Sequence, residues 1–188
     1  VFLLKKQKFP TVTKNKLKRF AEMKDFPNVV EPEFREIFNK DFRLKGKWNE
    51  AFFFNDNPII LELGCGKGEY TINLARQYTG YNFMGVDIKG ARMWKGAKTA
   101  LHENLSNVAF LRTRIDFINS FFGEDEVSEI WITFPDPQPK KARKRLVSTR
   151  FLTYYQHFVR DKSIINLKTD NTEVFHHTLD IVRENNLE

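Results

Sequence analysis

Five short segments carry side chains whose types and spacing suit chemistry. The first, Glu62-Leu63-Gly64-Cys65-Gly66-Lys67-Gly68-Glu69, closes an apolar run with three alternating glycines. Glycines so placed let a backbone turn tightly and approach a ligand without interference from a Cβ. The spacing G-x-G-x-G departs from the dinucleotide template G-x-G-x-x-G, because the third glycine comes one residue early and Glu69 takes its place. It also lacks the G-x-x-x-x-G-K-[ST] order of a phosphate loop. Glu62 beside the loop would repel phosphates, and Lys67 is its one cation. The pair favours a cationic, nucleoside-like ligand over a pyrophosphate. Asp87, 19 residues beyond Gly68, stands where an acid can accept hydrogen bonds from both hydroxyls of a ribose. A helix N-cap ahead of Lys89-Gly90-Ala91 is its plainer role. Asp116 suits an adenine amino group or a helix cap equally.

The segment Phe134-Pro135-Asp136-Pro137-Gln138-Pro139 leads into Lys140-Lys141-Ala142-Arg143-Lys144-Arg145. Prolines on both sides restrict the backbone of Asp136. A fixed carboxylate beside five cations suits a base held next to phosphates. The acid can accept from the N1 and N2 donors of guanine while the cations meet the backbone. Asp170, in Lys168-Thr169-Asp170, is a further acid, with a helix cap as its alternative. Other candidates read as structure. Cys65 is a small loop residue, since no Pro-Cys pair exists for attack on a pyrimidine. His102, His157, His176 and His177 show no metal-ligand spacing. Trp131 reads as core. Lys89, Arg92, Lys95 and Lys98 share a helix with no acid between Asp87 and Glu103, a solvated face or an extension of an RNA track.

Regular elements must hold these groups. Ile59–Leu63 is an apolar run of the kind seen in strands buried on both faces. The spacing predicts further strands over 82–87, 108–111, 129–134 and 163–167. Helices are expected over 68–78, 91–104, 148–161 and 172–184. This alternation indicates an α/β fold, a doubly wound Rossmann-like parallel sheet with ligands beyond the carboxyl ends of its strands. Residues 1–24 read as a mobile basic arm turning helical around Lys14–Met23, residues 25–56 as an irregular lead-in packing on the core, and residues 57–188 as the catalytic domain.

The 188 residues fit one domain, and 41% apolar with 29% charged residues is an ordinary globular composition. A single cysteine excludes a disulfide framework or a multi-cysteine metal site and points to a reducing, cytoplasmic setting. No stretch approaches the roughly 18 apolar residues of a membrane span. The net charge of +7 is unevenly spread. Residues 1–24 hold eight cations and one acid, residues 138–150 six cations and no acid, and the rest 17 cations and 23 acids. Two basic segments on an acidic body suit a polyanion held beside a cationic ligand.

Together these motifs resemble the bacterial tRNA (guanine-N7)-methyltransferases, a class I S-adenosylmethionine-dependent family, from about Lys14 to Asp170. The glycine loop marks only the superfamily, whereas Phe134-Pro135-Asp136-Pro137 with its basic tail marks the family. The resemblance implies methyl transfer to N7 of a guanosine in the variable loop of tRNA. It implies cofactor contacts from Glu62, Gly64, Gly66, Gly68, Asp87, Asp116 and Asp136, with Asp136 also catalytic and no metal. It further implies substrate contacts from Lys140, Lys144, Arg145 and Asp170, in a monomer or homodimer. Gln138 stands where the family usually has Trp, and the family's basic tail is about two residues longer. The family continues past the last helix with two more strands, so the sheet is expected to lack them. An adenine amino-group methyltransferase and a non-catalytic RNA-binding module are the alternatives.

Overall fold

The structure, a computed structural model, describes residues 12–187. The elements run α1 (Val12–Met23), β1 (Val29–Val30), α2 (Phe34–Ile37), β2 (Ile59–Leu63), α3 (Glu69–Gln77), β3 (Asn82–Asp87) and α4 (Gly90–His102). They continue through β4 (Val108–Arg112), β5 (Val127–Thr133), α5 (Thr149–Tyr155), β6 (Val159–Lys168) and α6 (Thr172–Glu184). The six strands form one parallel sheet in the order β1-β4-β3-β2-β5-β6. The chain winds outward from β2 through β3 to β4, then crosses back to β5 on the other side of β2. That reversal opens a crevice between the carboxyl ends of β2 and β5, where doubly wound sheets bind ligands.

Every residue of β2 and β3 is buried, because helices or lead-in segments cover both sheet faces. One core combines Leu61, Leu63, Val86 and Ile130 with Phe42, Leu44, Trp48 and Phe53 from the lead-in. Trp48 is fully buried, and its indole N–H donates to the Phe121 carbonyl at 2.8 Å. Glu126 accepts from the backbone N–H of Gly46, Trp48 and Gly123, pinning this segment to the start of β5. The opposite core places Ile72, Ala75, Met93, Ala97 and Ala100 of α3 and α4 against Phe83, Val108 and Phe110.

Several expectations are corrected. The part of the basic arm within the described residues forms the expected helix, but it docks on α4, with Met23 1% exposed, rather than staying mobile. Residues 1–11 of that arm lie outside the described residues. The lead-in supplies an unexpected strand, β1, whose Val29 and Val30 pair with Phe110 and Leu111 of β4. The helix expected over 148–161 ends at Tyr155, because Phe158 turns into the core against Phe122 and Tyr155 and Val159 begins β6. Strand β5 stops at Thr133 because Phe134 takes a left-handed φ of 47° that no strand accommodates.

Candidate active site

The loop after β2 is shaped by three left-handed glycines, with φ of 77° at Gly64, 57° at Gly66 and 71° at Gly68. They serve different ends. A Cβ on Gly64 would meet only Leu146, at 3.7 Å, and one on Gly66 would have nothing nearer than the Gly64 carbonyl at 4.0 Å. These two therefore leave open space over the backbone. Gly68 faces inward, where a Cβ would come within 2.6 Å of the Phe110 ring, so its bareness lets α3 and α4 close on β4.

Glu62 lies beneath this loop and accepts three hydrogen bonds. Its Oε2 takes the Thr71 N–H at 2.9 Å and the Thr71 hydroxyl at 2.6 Å, and its Oε1 takes the Thr133 hydroxyl at 2.8 Å. Thr71 lies in the first turn of α3, whose N-cap Gly68 has no side chain to satisfy a free N–H. Glu62 supplies that acceptor from the neighbouring strand and ties the same helix to the end of β5. Burial pushes its carboxyl above the usual carboxylate range, against the lowering effect of the two threonines, and Asp87 adds repulsion. Asp87, 9% exposed, accepts from the Gly66 N–H at 2.9 Å and the Lys89 N–H at 2.8 Å, so it braces the glycine loop against the start of α4. Each of its oxygens keeps a lone pair for another donor.

The Pro-Asp-Pro loop is held at both ends. The Phe134 N–H donates to the Lys168 carbonyl at 2.7 Å, and Arg145 Nε donates to the Pro137 carbonyl at 2.9 Å. Arg145 is 4% exposed and also pairs with Glu173 of α6. Its guanidinium thus faces inward and positions the loop. Phe134 and Gln138, with φ of 47° and 45°, flank Asp136 in conformations that non-glycine residues rarely adopt. Asp136 Oδ1 accepts from the Gln138 N–H at 3.1 Å, and its carboxylate stays exposed.

A cleft of about 560 Å³ joins these parts, a size suited to a nucleoside-like ligand. Gly64, Asp87, Asp116, Asp136 and Lys144 line it. Asp116 sits at its edge between Arg150 at 2.9 Å and Arg114 at 3.4 Å. Glu62, Gly66, Gly68, Lys140, Arg145 and Asp170 are not on its wall. Asp170 is exposed at the turn before α6, and the neighbouring Asn171 caps that helix by accepting from the Val174 N–H at 2.9 Å. Ile88, Thr113, Ile115 and Phe151 also line the cleft, although no sequence motif marks them. Only Ile88 carries a signal, an apolar residue between Asp87 and Lys89 that is 50% exposed.

Residues 56–188 match a family model described as "Putative methyltransferase". The chain is 54% identical over 174 residues to the tRNA (guanine-N(7)-)-methyltransferase of Bacteroides fragilis, covering 93% of this chain and 69% of that protein. The chain belongs to the tRNA (guanine-N7)-methyltransferase family. A second member, from Christiangramia forsetii, is 54% identical over 172 residues, covering 90% of this chain and 77% of the relative. Among solved structures, a 30S ribosomal methyltransferase from an uncultured bacterium matches with a TM-score of 0.54 at 16% identity, covering 76% of this chain and 79% of that one. That likeness concerns the class I methyltransferase fold. For a member of this family the cleft also has suitable chemistry: carboxylates at its rim for a cationic donor, and room above Gly64. Among the described residues no cluster of His, Cys, Asp or Glu could hold a metal, and no helix is long and apolar enough to cross a membrane.

Proposed function

We propose that the chain transfers a methyl group from S-adenosylmethionine to N7 of a guanosine in tRNA, in the variable loop as the resemblance implies. The observation that carries this reading is the placement of Asp136 in one cleft with Gly64, Asp87 and Asp116. When bound, S-adenosylmethionine supplies a methyl group on a positively charged sulfur. Asp87 accepts from ribose hydroxyls, Asp116 from the adenine amino group, and Gly64 with Gly66 admits the ligand against the backbone. Glu62 acts from below by fixing the loop.

Guanine N7 presents an in-plane lone pair and no proton, so the side chains need not remove one before attack. Their task is to orient the base, which supplies roughly 7–11 kcal/mol in well-aligned reactions. Asp136 accepts from the N1 and N2 donors, and its negative charge offsets the positive charge developing on the ring. Lys140 and Lys144 meet phosphates, Asp170 contacts the substrate from the neighbouring strand end, and Arg145 keeps the loop in place.

Replacing Asp136→Ala should lower methyl transfer by about 100-fold, as expected when one preorganised electrostatic group is removed, while tRNA affinity stays within about twofold. Tritiated-methyl transfer and filter binding measure the two quantities, and borohydride–aniline cleavage maps the modified base. Turnover equal to wild type, or methylation at another atom, would overturn the reading.

A further inference from the structure

Resting on the tRNA reading above, we infer that the outer faces of α4 and α1 form a separate phosphate track that grips the RNA backbone beside the cleft. At the start of α4 and along it the cations Lys89, Arg92, Lys95 and Lys98 recur at every third position and are all exposed. The first two line the cleft, so the stripe begins at the site and runs away from it. Helix α1 then adds cations from a distant part of the chain. Its Phe20 ring packs at Gly90, where a Cβ would come within 2.8 Å, and this docking lays Lys18 and Arg19 alongside α4.

The cations gather with few acids between them. Arg19 and Lys98 each lie 4.8 Å from the centre of the Trp94 ring. Glu22 accepts the Trp94 indole N–H at 2.7 Å and is shared by Lys98 at 3.8 Å and Lys18 at 3.9 Å. Glu69 is shared by Lys95 at 3.5 Å and Lys67 at 4.0 Å. Among the described residues no acid pairs with Lys89 or Arg92. Cations crowded around one ring and two shared carboxylates repel one another, with screening setting in over a Debye length of about 8 Å. A phosphate backbone laid along them removes that cost and releases its own counterions. The rings that organise the cluster are partly buried, and among the described side chains of α1 Leu17 is the large apolar one left exposed. One leucine offers little to insert among lipids, which favours RNA over a membrane surface.

The test removes two track cations, Lys18→Gln with Lys95→Gln, and compares a control that removes the same charge from the lead-in, Lys40→Gln with Lys47→Gln. Filter binding of unmodified tRNA between about 50 and 200 mM KCl gives the salt slope. The track variant should lose about 1.5 from the slope, at roughly 0.7–0.9 per neutralised phosphate, and the control nothing. Equal slopes in both variants would overturn the track. So would phosphatidylserine vesicles that bind wild type but not the track variant and leave tRNA bound. Guanine-N7 methylation by wild type, with an unaltered slope in the track variant, removes the track alone. A reduced slope with no methylation by wild type leaves the track and removes the catalytic reading.

Discussion

Glu62 is 5% exposed, yet it governs two loops through Thr71 and Thr133. Its carboxyl titrates higher in the fold than in the unfolded chain because burial penalises the charge. The stability that this raised value contributes is fully present below the unfolded carboxyl pKa of about 4.3 and is lost as pH climbs through the folded value. Glu62→Gln abolishes that titration and loses an acceptor for one threonine. The variant is expected to be less stable than wild type at low pH, with the gap narrowing as pH rises. Urea unfolding across a pH series measures this, and a gap independent of pH would contradict it. Asp136 shows the complementary design, an exposed carboxylate whose direction is fixed by strained neighbours rather than by burial.

At the scale of elements, the close approach of α3, α4 and β4 rests on Gly68, Gly96 and Phe110. A Cβ on Gly96 would come within 2.6 Å of the Lys67 carbonyl, and one on Gly68 equally near the Phe110 ring. Gly68→Ala should therefore cost about 1–3 kcal/mol for overpacking, with roughly 1–2 kcal/mol added for the left-handed backbone. Phe110→Leu in the same chain should recover part of the overpacking share and none of the backbone share. Chemical denaturation of the four proteins in that cycle checks the coupling. Much of this layout was legible in the residues. The apolar run 59–63 with its glycines, and the prolines around Asp136, report local constraints that need no partner. Burial of Trp48, the pairing of β1 with β4 and the docking of α1 depend on segments far away along the chain. Local periodicity carries no trace of these. Arg145 is the instructive case: within a run of cations nothing marks the one that turns inward to Pro137.

For the whole molecule, the basic segment at 138–150 is less available than its six cations suggest. Arg145 is buried, Arg150 is held by Asp116, and Lys140, Lys141, Arg143 and Lys144 remain exposed. Replacing Lys140→Ala with Lys144→Ala should weaken tRNA binding and shallow its salt slope by about 0.7–0.9 for each phosphate no longer neutralised. A slope equal to wild type would deny both residues a phosphate role. The acidic remainder of the chain suits this division, because anionic surface elsewhere repels RNA from unproductive faces.

The single cysteine lies inside the glycine loop, 6% exposed, with burial and the nearby carboxylates of Glu62 and Asp87 pushing its thiol well above the ordinary value. Such a thiol is inert while the loop is closed, since the thiolate is the reactive form. Cys65 is accordingly a built-in clock for local breathing. A chromogenic disulfide should label it only as fast as the loop opens, and saturating S-adenosylmethionine should slow that labelling. Labelling at the rate of a free thiol would show that the loop does not shield it.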